Sequence, residues 1–284
     1  MKKVVLTTES VCDMSPAQIE RMGLPIIPFH IFLDGKEYLD GVSIQTEDVF
    51  DTYRKRKVLP KTGAINVEEF TAFFRPLVDQ GFEVVHISLG SGISCTYQNA
   101  VIAAQNLPGV YPVDSRNLST GLSTIICYAQ RMIDAGMTGA QVQAGCEELR
   151  MRVHGSFVID TLEFLASGGR CSSLAALGAN LLRLHPVIEV DSADGTMHVG
   201  KKYRGSLNRV IPQYFYEFVS RFPDVETDFI YLTHACSSEE EIALAREAIL
   251  KAHPYKEVYI TCAGTTISSH CGPHCIGCFV VTKK

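Results

Sequence analysis

No stretch of this 284-residue chain approaches the roughly 18 consecutive apolar residues of a membrane-spanning helix. The N-terminus, Met-Lys-Lys-Val-Val-Leu-Thr-Thr-Glu-Ser, holds an apolar run of only three residues, too short for the core of a secretion signal. These absences lead us to expect a cytoplasmic protein without stable membrane insertion. Long basic runs are missing too. Formal net charge is −5, and the one dense basic stretch is Arg54, Lys55, Arg56 and Lys57. On an acidic chain such a cluster reads as a solvated helix end, so nucleic acid is not an expected partner. After the first strand the chain reads Thr7-Thr-Glu-Ser-Val-Cys12, not Gly-x-Gly-x-x-Gly, which removes the dinucleotide fingerprint. Repeats, low-complexity segments, a kinase motif and the Gly-x-Ser-x-Gly elbow of α/β-hydrolases are also lacking. With no secretion signal, the ten cysteines, mostly single at apolar positions such as Cys127, read as small buried hydrophobes and not disulfides.

What is present is an ordinary globular composition, 46% apolar and 20% charged. Short apolar strands alternate with helical patterns. Strands are expected at Val4–Thr7, Ile26–Leu33, Phe82–Ser88 and Val110–Val113. Asp34-Gly35 turns the chain back into Lys36–Leu39. Helices are expected from Ser15 to near Gly23, over Thr46–Lys57 and Asn66–Asp79, at Ser94–Gln105, and near Ser119–Ala135 and Gly139–Arg152. Asn66 with Glu69 makes a capping box. This alternation indicates a parallel sheet covered on both faces, an α/β/α three-layer, Rossmann-like unit. Beyond residue 153 the pattern changes. Short helices surround a Gly168-Gly169 break, and Asp191–Gly195 joins Val187–Val190 to Met197–Lys201 as a hairpin. A helix over Leu207–Val219, another capped by Ser238 with Glu241, and strands at Phe229–Thr233, Val258–Thr261 and Cys278–Val281 follow. A hairpin among crossovers implies a mixed sheet. We therefore expect two α/β domains, residues 1–153 and 154–284.

Ligands of such sheets gather at the carboxyl ends of the strands, and four polar loops fall there. Leu89-Gly-Ser-Gly-Ile-Ser-Cys-Thr-Tyr-Gln98 is a glycine-rich turn into a helix, with Ser94 where an N-cap belongs. Free N–H groups there attract an anion, or Ser94 simply caps its helix. Pro60-Lys-Thr-Gly-Ala-Ile-Asn66 offers the Thr62 hydroxyl. Ser167-Gly-Gly-Arg-Cys-Ser-Ser173 offers Arg170, a forked cation suited to carboxylate or phosphate, or to a surface salt bridge. Ser268-Ser-His-Cys-Gly-Pro-His274 places His270 in a loop before the last strand, as a ligand contact or a structural hydrogen-bonding residue. Two other chemistries compete. Ser94 and His270 would form a nucleophile–base pair in a serine-type lipid hydrolase, although no acid partner is picked out. Cys271, His274, Cys275 and Cys278 carry good zinc ligands. Against a metal there, strand alternation points Cys275 and Cys278 to opposite faces.

Taken together, the loops resemble the DegV family. Ile26-Pro-Phe-His-Ile-Phe-Leu-Asp-Gly-Lys-Glu-Tyr-Leu-Asp-Gly-Val42 is similar to its early signature. Ser94-Cys-Thr-Tyr-Gln98 is similar to its Ser-Gly-Thr-Tyr-Gln segment, and Thr161-Leu-Glu-Phe-Leu with Gly168-Gly-Arg170, then His270-Cys-Gly-Pro273, to its later ones. The likeness runs from about residue 4 to 281. It implies two α/β domains that bind a long-chain fatty acid such as palmitate, with no cofactor. It further implies that hydroxyls matching Thr62 and Ser94 hold the carboxylate, with His270 and Arg170 near the head group. Some members present the acid to a separate fatty acid kinase, whose acyl phosphate enters phospholipid synthesis. The resemblance thus implies a carrier and not a catalyst. Three positions depart from the pattern: Gly63 replaces a frequent serine, Cys95 a glycine and Glu9 an aspartate. Phe29, Ile31, Phe164 and Leu165 are the expected tunnel residues.

Overall fold

The computed structural model describes residues 3–171 and 184–284; Ser172 and Ser173, the end of the third polar loop, lie outside the described residues. In chain order the first half contains β1 (Val4–Glu9), α1 (Pro16–Met22), β2 (Ile26–Ile27), β3 (His30–Leu33), β4 (Lys36–Leu39) and α2 (Thr46–Arg56). It continues with β5 (Lys61–Gly63), α3 (Val67–Asp79), β6 (Glu83–Ser88), α4 (Thr96–Ala104), β7 (Val110–Asp114), α5 (Thr120–Asp134) and α6 (Gly139–Leu149). The second half contains β8 (Val153–Val158), α7 (Glu163–Gly168), β9 (Leu184–Val190), β10 (Met197–Arg204) and α8 (Leu207–Ser220). It ends with β11 (Phe229–His234), α9 (Glu239–Ala252), β12 (Glu257–Cys262), α10 (Thr265–Cys271) and β13 (Ile276–Val281).

Among the described residues three sheets form. The first is parallel, in the order β2-β1-β6-β7. The second has six strands, β10-β9-β8-β13-β11-β12; only β11 and β12 run parallel. This is the α/β class read from the sequence, with a parallel sheet and a mixed one. The third sheet, β4-β3-β5, is small and antiparallel. The expected strand over Ile26–Leu33 is in fact two. β2 pairs with β1 and β3 with β4 and β5, because Pro28 between them has no N–H for a ladder. The Asp34-Gly35 turn has positive φ at both positions, 54° and 76°, the twist that suits a tight hairpin. Capping boxes at Asn66/Glu69 and Ser238/Glu241 start α3 and α9 as expected.

α3 and α4 cover one face of the parallel sheet, α5 and α6 the other. α5 also packs on β8, β11 and β13, and residues 120–126 along it are all buried. A helix stretch buried all round belongs between two layers, and here it joins both sheets in one core that runs from Leu6 to Val281. α8 and α9 close the far face of the mixed sheet over a second core. Among the described residues no helix is long and apolar enough to cross a membrane.

Candidate functional site

The site is built on two short elements that sequence periodicity did not reveal. Thr62 lies in β5, not in a loop, opposite Ile31 of β3. His270 lies in α10, again not in a loop. α10 is Thr-Thr-Ile-Ser-Ser-His-Cys, a poor helix former by propensity because β-branched residues and serines lose freedom or compete with the backbone. Tertiary contacts hold it. The Asp13 carboxylate accepts from the Gly264 N–H at 2.8 Å and the Asp40 carboxylate from the Thr265 N–H at 2.9 Å. Two acids thus satisfy the first free amides of the helix; burial, against the hydrogen bonds from Ser119 and Gly264, pushes the Asp13 carboxyl up to about 8. Both are steered in turn, Asp13 by Ser119 and Asp40 by Ser10.

The glycine-rich loop after β6 is clamped from below. Buried Glu9, at the end of β1, accepts from the Leu89 N–H at 2.8 Å and the Thr96 hydroxyl at 3.0 Å. Asp114, at the end of β7, accepts from the Ser91 N–H and hydroxyl at 3.0 and 2.7 Å. Gly92 is required here, since a Cβ would come within 2.6 Å of the Asp194 carbonyl oxygen in the β9–β10 turn. The helix begins one residue later than expected. Cys95 is the N-cap of α4, and the Ser94 hydroxyl instead accepts from the Thr96 N–H at 3.3 Å.

Thr62, Ser94, Arg170 and His270 all line one cavity of about 210 Å³. Its apolar wall comes from both halves of the chain, including Phe29, Leu118 and Ile267 and, from the mixed-sheet side, Phe157, Leu165 and Met197. Of the expected tunnel residues Phe29 and Leu165 are present. Ile31 and Phe164 lie elsewhere in the core, Phe164 against Phe50 and Tyr53. His270 Nε2 sits 2.8 Å from the Thr62 hydroxyl oxygen. Its Nδ1 is buried without a partner among the described residues and faces Gly168, where a Cβ would fall 2.2 Å away. Burial, helped by the neighbouring Arg170 charge, pushes the imidazole pKa down to about 4, so the ring is neutral at pH 7. The Arg170 guanidinium, exposed at the rim, donates to the Gly168 carbonyl at 2.6 Å and reaches the Ile93 carbonyl at 3.5 Å. Both of these contacts are to carbonyl oxygens and not to the carboxylate of a surface salt bridge.

Sequence reasoning missed Thr266. Its hydroxyl is buried in the cavity wall with no partner among the described residues. It stands one turn before His270 on α10, a relation visible only once α10 is known to be helical.

The competing chemistries are not assembled. His270 is hydrogen-bonded to Thr62 and not to Ser94, and no carboxylate orients the ring. The geometry of a serine nucleophile and its base is therefore missing among the described residues. Of the four zinc-type ligands, Cys271 and Cys275 sit in the first core and Cys278 in the second, while His274 Nδ1 pairs with Glu241 at 3.1 Å. No group of three or more His, Cys, Asp or Glu among the described residues is placed to hold a metal ion. None of the ten cysteines forms a disulfide, but Cys95, Cys236 and Cys262 are exposed, contrary to the expectation of buried hydrophobes.

The chain thus carries a largely apolar cavity on which three hydroxyls, an imidazole and a guanidinium converge, the kind of lining small-molecule sites have. The family described as "uncharacterised protein, DegV family" matches residues 3–283. A DegV domain-containing protein of Caldanaerobacter subterraneus is 30% identical, with both chains fully covered. A DegV family protein from Thermus thermophilus, whose structure is described for its fatty acid binding, superposes with a TM-score of 0.87 at 25% identity, over 99% of this chain and 100% of that one. A DegV lipid-binding protein from Thermotoga maritima shares the fold, with a TM-score of 0.86 at 22% identity over 100% of this chain and 99% of that one. The chain belongs to the DegV family.

Proposed function

We propose that this protein binds a long-chain fatty acid, such as palmitate, with its carboxylate received by Thr62 and Ser94 and its tail in the apolar cavity. The observation that carries the reading is the convergence of Thr62, Ser94, Arg170 and His270 on one otherwise apolar cavity. The fatty acid binding of the Thermus relative supports it. A neutral His270 with its proton on Nε2 donates to the Thr62 oxygen, which leaves the Thr62 O–H free to donate to a carboxylate. Arg170 supplies positive charge at the rim, and the orphaned Thr266 hydroxyl offers a third donor. Burying a methylene is worth about 0.8 kcal/mol, so a sixteen-carbon tail contributes roughly 10 kcal/mol gross. Ordering the chain takes back a large part, which leaves micromolar or tighter binding.

The protein acts, in this reading, as a carrier without a catalytic residue or cofactor. It presents the acid in the cytoplasm to a separate fatty acid kinase that makes the acyl phosphate for phospholipid synthesis. The division into domains 1–153 and 154–284 belongs to the same proposal, supported by β8, first strand of the mixed sheet, starting at Val153. The test is a titration of palmitate into wild type and the Thr62→Ala/Ser94→Ala double variant. The double variant should bind at least tenfold more weakly with an unchanged circular dichroism spectrum. Equal affinity in the two proteins would reject the head-group assignment.

A further inference from the structure

Glu9 is a buried acid that touches the candidate site without being part of it. It ends β1 with no exposed surface, and it does not line the cavity that Thr62, Ser94, Arg170 and His270 share. Its basic neighbour is His86, whose Nε2 lies 3.5 Å from the Glu9 Oε1 and has no hydrogen-bond partner among the described residues. The other edge of that ring, Nδ1, sits 2.9 Å from the Thr7 hydroxyl oxygen, and Phe70, Phe73 and Phe74 pack around it. A carboxyl group is costly in such a place unless its oxygens are bonded. Both oxygens are bonded, and both to the same loop.

These bonds close the loop into a ring. Leu89, the first residue after β6, gives its N–H to Oε2, and Thr96, the first residue of α4, gives its hydroxyl to Oε1. One planar group on a neighbouring strand thus holds both ends of the loop. Ser94 lies inside the ring, and its hydroxyl oxygen accepts from the Thr96 N–H at 3.3 Å. Thr96 is the joint: Glu9 holds its side chain, and its backbone holds Ser94. The bond from Thr96 occupies a lone pair of the Ser94 oxygen and leaves the Ser94 O–H free to donate. Asp114, the other acid under the loop, grips Ser91 and lies off this path. We infer that Glu9 is a positioning residue of the head-group site: through Thr96 it fixes the Ser94 hydroxyl, so that an arriving carboxylate meets a donor already in place. A donor that needs no ordering on binding gains affinity by avoiding that cost. This rests on the fatty-acid reading above.

The experiment is a double-variant cycle, with palmitate affinities of wild type, Glu9→Gln, Ser94→Ala and the combined variant measured by calorimetric titration. Glu9→Gln keeps the side-chain volume and replaces one acceptor by a donor. It should weaken palmitate binding at least about fivefold in the wild-type chain but less than about twofold in the Ser94→Ala chain, because a residue that acts through Ser94 then has nothing left to position. A residue that only supports the fold would give equal losses in both chains. Thr96 provides a second handle if Glu9→Gln fails to fold. Thr96→Val should lose affinity as Glu9→Gln does, and Thr96→Ser, which keeps the hydroxyl, should recover it. Equal losses in the two chains, or wild-type affinity in Glu9→Gln or Thr96→Val, would overturn the inference and leave the fatty-acid reading intact. Failure of wild type to bind palmitate would overturn that reading and this inference with it.

Discussion

At the scale of single residues, the candidate site is marked by buried polar atoms, His270 Nδ1 and the Thr266 hydroxyl, that have no partner among the described residues. His270 is the clearest case. Its folded pKa of about 4 lies below the roughly 6.5 of an unfolded histidine, so the fold favours the neutral ring. The stability it contributes is complete above about pH 6.5 and is lost as pH falls toward 4. Urea unfolding of His270→Gln should accordingly show a flatter stability profile across that window than wild type. A bound carboxylate opposes the effect, so the His270 midpoint followed by NMR should rise when palmitate is added. A midpoint indifferent to palmitate would place the carboxylate elsewhere. Thr266 makes the complementary case. A buried hydroxyl without a partner costs about 1–3 kcal/mol. Thr266→Val removes that cost, so its melting temperature should match or exceed that of wild type while palmitate affinity falls about fivefold. A variant that is equally stable and binds equally well would take Thr266 out of the head-group site.

At the scale of elements, α10 is the part that sequence and structure describe most differently. Long, capped, periodic segments such as α3 and α9 were legible, because their boxes and apolar spacing act locally. The four residues that converge on the cavity also each stand in a polar segment between apolar runs, which is what singled them out as candidates. The helix carrying His270 was not. Its sequence disfavours helix, and what stabilises it comes from Asp13 and Asp40, more than 200 positions away in the chain. β5 escaped for a similar reason: three residues carry no period, and only pairing with β3 makes Lys61–Gly63 a strand. The metal-type spacing of the last segment misled in the opposite direction, because the pleat of β13 sends Cys278 to the second core and away from Cys275. If the two acids hold α10, Asp40→Ala should cost about 1–2 kcal/mol in urea unfolding, the range of a lost helix cap. It should also weaken palmitate binding, although Asp40 does not line the cavity. Loss of stability with full affinity would show that α10 tolerates the loosened cap without moving His270.

At the scale of the whole molecule, the cavity exists because two sheets share one central helix. α5 is buried between the parallel and mixed sheets, and the glycine-rich loop of the first sheet reaches the hairpin turn of the second through Gly92. Thr62 and Ser94 come from the first half, Thr266, Arg170 and His270 from the second, so the cavity's polar lining is complete only when the halves are packed together. That arrangement encloses a largely apolar volume with a few polar groups in its wall, which suits the proposed ligand, a long tail with a carboxylate. The most direct test is to purify the protein, denature it, extract it with organic solvent and analyse the extract by mass spectrometry. The account predicts near-stoichiometric fatty acid of palmitate, stearate or oleate type. An extract free of fatty acid, from protein that also fails to take up added palmitate, would contradict it.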